Sequence, residues 1–173
     1  MSLEPYRIND IDRLYQTIRE PITELSVWMP WCRADYSIKA GRAWVESRAE
    51  AWEKGTAYDF AITDARDGSF LGGCSLSHIN QANQIADLGY WVRTSRTKKG
   101  VSSVAVRLLE QFGLGKLKLN RIEIMAAVGN KTSQRVAENV GTRREGILRK
   151  RIVVRVDRIY DVVMLSLIPE DLT

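Results

Sequence analysis

The segment from Asp87 to Ser103 (Asp-Leu-Gly-Tyr-Trp-Val-Arg-Thr-Ser-Arg-Thr-Lys-Lys-Gly-Val-Ser-Ser) constrains the fold more than any other in the chain. Leu88–Val92 reads as a buried strand, the basic stretch after it as a short loop, and Val101 onward as an amphipathic helix. Val101, Val104, Ala105, Leu108, Leu109 and Phe112 recur at three- and four-residue spacing, as one helical face requires. A helix start leaves backbone N–H groups unpaired and carries the positive end of the helix dipole. With Lys98 and Lys99 just before it, this start is an anion site, most naturally for phosphates.

The rest of the chain supplies neighbours for that unit. A strand at Leu3–Ile8 leads to Asn9 or Asp10 as the cap of a helix carrying Ile11, Leu14, Tyr15 and Ile18. Pro21 and Pro30 interrupt the next region, and a long helix runs from about Ser37 to Lys54. Ala57–Thr63 and Phe70–Ser77 read as a hairpin around the turn Asp64–Gly68. After the central helix come a strand at Arg121–Val128 and a helix at Thr132–Val140, ended by Gly141. Strands near Glu145–Val154 and Ile159–Leu167 close the chain. Hairpin strands followed by strand–helix–strand predict an α/β (α+β) protein with a mixed sheet of about seven strands and a right-handed parallel crossover.

Length and composition narrow the function classes. The 173 residues suit one domain, 1–173, that buries roughly 70% of its unfolded surface. No apolar run approaches the ~20 residues of a membrane span and no signal peptide is recognisable, so the expected place is the cytoplasm, with no membrane partner. Two cysteines and one histidine argue against a disulfide framework and against a metal site. The net charge of +5 fits nucleic acid, an acidic protein surface or a polyanionic cofactor, and does not choose among them. Much of it lies in Arg143, Arg144, Arg149, Lys150, Arg151, Arg155 and Arg158.

Several short motifs then occur together in a specific order. They are Trp28-Met29-Pro30-Trp31, Gly89-Tyr90-Trp91-Val92, Lys99-Gly100 opening the long helix, and Asn130-Lys131-Thr132-Ser133. Gly141, Glu145-Gly146 with Leu148-Arg149, and Asp161-Val162-Val163 complete the set. With them the chain resembles, over nearly its whole length, the GNAT superfamily of acyl-CoA-dependent N-acyltransferases. Within it, the likeness is to the Rim-type ribosomal-protein alanine N-acetyltransferases. The resemblance implies a sheet splayed at the acyl-CoA site, acetyl-CoA as co-substrate and no metal. It implies a pyrophosphate held by Lys98, Lys99, Gly100, Val101, Ser102 and Ser103, the last two able to add hydroxyl donors. Pantetheine would run along the strand edge Trp91, Val92 and Arg93, with Asn130 bonding it. In the family the loop reads Gln/Arg-x-x-Gly-x-Gly/Ala; here Thr97 stands first and Ser102 last.

Acyl transfer to an amine needs a neutral amine, a polarised carbonyl and a proton donor for the departing thiolate. The resemblance assigns the donor to Ser133, since the family's alternative tyrosine position is Ala137 here. The family's glutamate beyond the Glu-Gly pair is absent, where the chain reads Arg149-Lys150-Arg151-Ile152. Glu123, Tyr160, Asp87 and His78 are then the candidates for a base, with Glu123 and Tyr160 joining Ser133 in the expected catalytic set. Trp28, Trp31, Tyr36 and His78 are expected to bind the acceptor, along with Met29 and Trp44. The acceptor is a protein N-terminal amine or a small amine; a second copy of the chain is a further candidate partner, and nucleic acid is disfavoured. Two other readings stay open: an acyl-CoA-binding module without turnover, and a basic nucleic-acid-binding domain.

Overall fold

The computed structural model describes residues 1–172. Its elements are β1 (Ser2–Pro5), α1 (Ile11–Arg19), α2 (Ile22–Trp28), α3 (Ile38–Glu53), β2 (Tyr58–Thr63), β3 (Phe70–Asn80) and β4 (Ile85–Val92). After them come α4 (Val101–Glu110), β5 (Arg121–Ala127), α5 (Lys131–Glu138), β6 (Arg143–Arg155) and β7 (Arg158–Leu167). The strands form one seven-stranded mixed sheet in the order β1-β2-β3-β4-β5-β7-β6, as the sequence pattern predicts. No helix among the described residues is long and apolar enough to cross a membrane.

Only β4 and β5 pair in parallel, and they do so briefly: Ile85 with Arg121, Ala86 with Ile122, Asp87 with Glu123. Beyond Asp87 each strand keeps its outer neighbour. Val92, Trp91 and Tyr90 stay in register with Gly72, Gly73 and Cys74 of β3, while Ile124–Ala127 stay in register with Leu165–Val162 of β7. The sheet therefore opens between Leu88–Val92 and Ile124–Ala127.

Strand alternation divides the core into two layers. On one face, Leu88, Ile122, Ile124 and Leu165 pack with Ala105, Val106 and Leu109 of α4 and Ala137 of α5. On the other, Ala61 and Phe70 pack with Ile11, Leu14, Ile18 and Val45 of α1 and α3. Two expectations change here. Val104 is nearly half exposed while Val106 is fully buried, so α4 is rotated from the predicted face. Apolar residues flank Ala105 on both sides, and spacing alone does not say which edge turns inward. Asp10 caps one turn early: its carboxylate accepts from the Arg7 N–H at 2.8 Å and gives α1 no bond.

Leu109, fully buried, fastens α4 to the sheet and so holds the loop before it. Leu109→Ala should lower the unfolding free energy by about 2–5 kcal/mol in urea titrations. A loss under ~1 kcal/mol would mean that α4 is anchored elsewhere.

Candidate active site

The basic loop is built to present backbone donors. It leaves β4 at Arg93, turns through 94–96 and reaches α4 at Gly100, whose φ of +78° lies in the left-handed region. Glycine occupies this region without the strain a Cβ brings. A Cβ at Gly100 would meet nothing within 4 Å, so the space over the turn is open. The Gly100 carbonyl accepts the first helical bond, from Val104 N–H at 3.0 Å. Among the described residues no partner takes the N–H groups of Gly100, Val101, Ser102 or Ser103, nor the hydroxyls of the two serines. Lys98 and Lys99 stand exposed beside these donors. The exposed Thr97 is engaged locally instead, its hydroxyl donating to the Thr94 carbonyl at 2.8 Å.

The residues expected along the strand edge divide by direction. Arg93 N–H donates to the Leu71 carbonyl at 2.9 Å, so Arg93 faces β3; by alternation Trp91 does too, while Tyr90 and Val92 turn their backbone groups to the gap. The Arg93 guanidinium is committed as well. It binds Glu20 at 2.6 Å and the Phe70 carbonyl at 3.3 Å, and Glu20 also accepts from Ser95 N–H at 2.7 Å. Arg93 is therefore a strut tying the loop to α1, where a cofactor contact was expected.

Across the gap, Asn130 Oδ1 caps α5 by accepting from Ser133 N–H at 3.1 Å. No protein partner takes its Nδ2 among the described residues. The Ser133 hydroxyl lies 3.0 Å from the Tyr90 hydroxyl, which donates to the Ser133 carbonyl at 2.9 Å. Burial pushes the Tyr90 phenol up to about 12, the Ser133 bond opposing, so it stays protonated. Gln134 Nε2 donates to the carbonyls of Ala127 and Val128, both at 2.9 Å, and so satisfies the end of β5.

On the opposite face of the sheet lies a cavity of about 600 Å³, walled by Trp31, Tyr36, Trp44 and Trp91 and floored by Gly73, Ser75 and Gly89. A Cβ on Gly73 would stand 2.5 Å from Tyr6 Oη and 2.7 Å from Trp91 Nε1, so the floor requires glycine. Arg48 and Asp59 form a largely buried ion pair at 2.9 Å in its wall. Burial raises the Asp59 carboxyl despite Arg48. His78 lines the cavity beside Ser77, with Nδ1 3.1 Å from Asp87 Oδ2.

Trp31, Tyr36 and His78 of the expected acceptor set line this cavity, but Trp28 does not. Its ring packs 5.4 Å from that of Tyr160 and lies against Gly129. Tyr160 is thus held by an aromatic contact outside the cavity. Glu123 accepts from Arg121 Nε at 2.7 Å, and Arg121 also holds Glu145 at 2.6 Å, which keeps Glu145 down at about 2. Glu123 is thus engaged by Arg121 and Tyr160 by Trp28, and neither is hydrogen-bonded to Ser133 among the described residues. Tyr90, Gln134 and the Arg48–Asp59 pair escaped sequence reasoning; only Tyr90 carried a signal, lying one residue from Trp91 in a strand and hence on the other face.

Three comparisons bear on this arrangement. A family model described as Acetyltransferase (GNAT) domain matches residues 1–143. The chain is 32% identical to the "Putative ribosomal N-acetyltransferase YdaF" of Bacillus subtilis (strain 168), covering 98% of this chain and 90% of that one. It is 28% identical to the ribosomal-protein-serine acetyltransferase of Escherichia coli (strain K12), over 86% and 83% of the two chains. Its fold superposes on the RimL ribosomal L7/L12 alpha-N-protein acetyltransferase solved with coenzyme A, with a TM-score of 0.89 and 22% identity over 96% and 92% of the chains.

Removing one partner of a buried pair leaves a charge without compensation. Arg48→Met should lower the unfolding free energy by about 3 kcal/mol at pH 7.5. The Asp59 carboxyl, already raised by burial, would rise further without Arg48. The penalty of a raised acid is absent below its unfolded pKa, grows between that and the folded pKa, and is constant above. The deficit should therefore shrink between pH 7.5 and 4.5 in urea titrations. A deficit that stays constant would show that Asp59 and Arg48 are not energetically coupled.

Proposed function

The chain belongs to the GNAT acetyltransferase family, and on that premise we propose that it transfers an acetyl group from acetyl-CoA to the primary amine of a protein N-terminus or small molecule. The observation that carries the reading is the opening between β4 and β5, with phosphate-type donors on one side and an aromatic-walled cavity on the other. Four unpartnered N–H groups at the start of α4 fit a pyrophosphate, with Lys98 and Lys99 adding charge. Tyr90 and Val92 offer a bare strand edge that suits the amides of pantetheine, and Asn130 Nδ2 adds a donor. Acetyl-CoA supplies an activated thioester.

The chain's own groups do the rest. The Ser133 hydroxyl, held 3.0 Å from the Tyr90 hydroxyl beside the gap, is the group we assign as proton donor to the departing thiolate. The aromatic cavity holds the amine on the opposite face, so the two substrates meet in the opening and proximity supplies much of the acceleration. The nitrogen–carbon bond forms as the carbon–sulfur bond breaks. The ammonium loses two protons in all, and the thiolate gains one. Relatives named for ribosomal proteins support a protein N-terminus as acceptor.

Thiol release from acetyl-CoA, measured with Ser- and Ala-initiated tripeptides and with ethanolamine and phenethylamine, tests the reading. Acceptor-dependent release is expected; tight acetyl-CoA binding without it would favour a non-catalytic module. Ser133→Ala should lower kcat by about 10²-fold with acetyl-CoA affinity kept, within the usual range for a lost proton donor. Gly100→Val, forced into a left-handed backbone, should abolish stabilisation by CoA in a thermal-shift assay. Unchanged stabilisation would move the pyrophosphate elsewhere.

A further inference from the structure

We infer that His78, oriented by Asp87, is the general base that takes the proton from the incoming ammonium; the inference rests on the acetyl-transfer reading above. A carboxylate on Nδ1 fixes an imidazole with its proton there and its lone pair at Nε2. That contact is present, 3.1 Å from Asp87 Oδ2 to His78 Nδ1, with the Ser77 hydroxyl 3.4 Å from the same nitrogen. No protein group takes Nε2 among the described residues.

The backbone places this ring at the cavity. Pairing of β3 with β4 runs regularly to Ser77 and Asp87, then resumes only at Asn80 and Ile85. His78 occupies the resulting bulge with a φ of +50°. Strained positions of this kind persist where the surroundings over-determine them, and bulges re-aim side chains beside active sites. Asp87 is also the last β4 residue paired with β5, so the dyad stands at the vertex where the sheet opens. Gly89, on the cavity floor, lies roughly 7 Å further along β4. An amine above Gly89 is then within reach of Nε2 directly or through one water.

The other candidates are occupied. Glu123 is bound by Arg121, Asp59 by Arg48, and Tyr160 packs on Trp28. The charged groups facing the dyad are Glu123 from β5 and Arg151 from β6. Burial raises the Asp87 carboxyl, His78 pulls it back, Glu123 raises it and Arg151 lowers it, with a net upward shift. The His78 side chain is 81% exposed, so the proton it accepts passes to bulk water. The balance closes: one ammonium proton leaves through Nε2 to solvent before attack, nitrogen gives its second proton to water after attack, and water returns one to the Ser133 oxygen that protonated sulfur.

The test compares thiol release by wild type, His78→Gln and Asp87→Asn with the same four amines between pH 6.5 and 9.5. His78→Gln should lower kcat/KM for the amine about 10²-fold at pH 7 while acetyl-CoA affinity stays unchanged. The deficit should shrink below about 5-fold by pH 9.5 with the tripeptides, because an N-terminal amine of pKa ~8 is then neutral without help. Asp87→Asn should lower kcat by a smaller factor, again with acetyl-CoA affinity kept. A His78→Gln deficit that is absent, or constant with pH, overturns the inference and leaves acetyl transfer standing. Wild-type protein that releases thiol with none of the amines overturns both.

Discussion

Everything in this molecule depends on the point where β4 and β5 stop pairing. Three register pairs hold them together, ending at Asp87 and Glu123, and beyond these each strand is paired only with its outer neighbour. A sheet edge inside a sheet leaves backbone donors and acceptors unmatched, which is costly unless a ligand or water takes them. Here that opening also connects the two faces. Ser133, Tyr90 and the start of α4 lie on one side; the tryptophan-walled cavity, His78 and the Arg48–Asp59 pair lie on the other.

The surroundings of the opening are fixed by interactions that cannot themselves serve a ligand. Glu20 gathers Arg93 and the Ser95 N–H, so the start of the loop before α4 is tied to the C-terminal end of α1. Gln134 closes off the carbonyls at the end of β5, and Asn130 caps α5 so that Ser133 sits at a defined place. On the far side, Arg155 donates to the carbonyls of Pro30 and Cys32, holding the segment that carries Trp31 against the last hairpin. Part of the arginine-rich run is thus structural. Rigid supports of this kind let a site hold its geometry before substrate arrives, which lowers the ordering cost of catalysis.

Much of this was legible in the sequence. Periodic residues located α1 and α4, the turn at Asp64–Gly68 marked the β2–β3 hairpin, and Lys99-Gly100 marked the opening of α4. The strand–loop–helix order at Asp87–Ser103 pointed to a run of free backbone donors at a helix start, because that inference needs only local backbone geometry. What local pattern does not carry is partnership between distant residues. Arg93 looked like part of the edge that pantetheine would follow, because the Glu20 that takes its guanidinium lies 73 positions away. Trp28 and Trp31 looked equivalent, yet only one reaches the cavity. Glu123 looked available until Arg121, two residues earlier on the same face, was seen to take it.

The open edge of β4 and the start of α4 together make the proposed seat of acetyl-CoA. Backbone amide hydrogen exchange, followed residue by residue with and without acetyl-CoA, reads that edge directly. Binding should slow exchange at Tyr90, Val92 and Gly100–Ser103 while leaving Trp91 and Arg93, already bonded toward β3, unchanged. Protection that appears elsewhere, with these amides unaffected, would contradict the account.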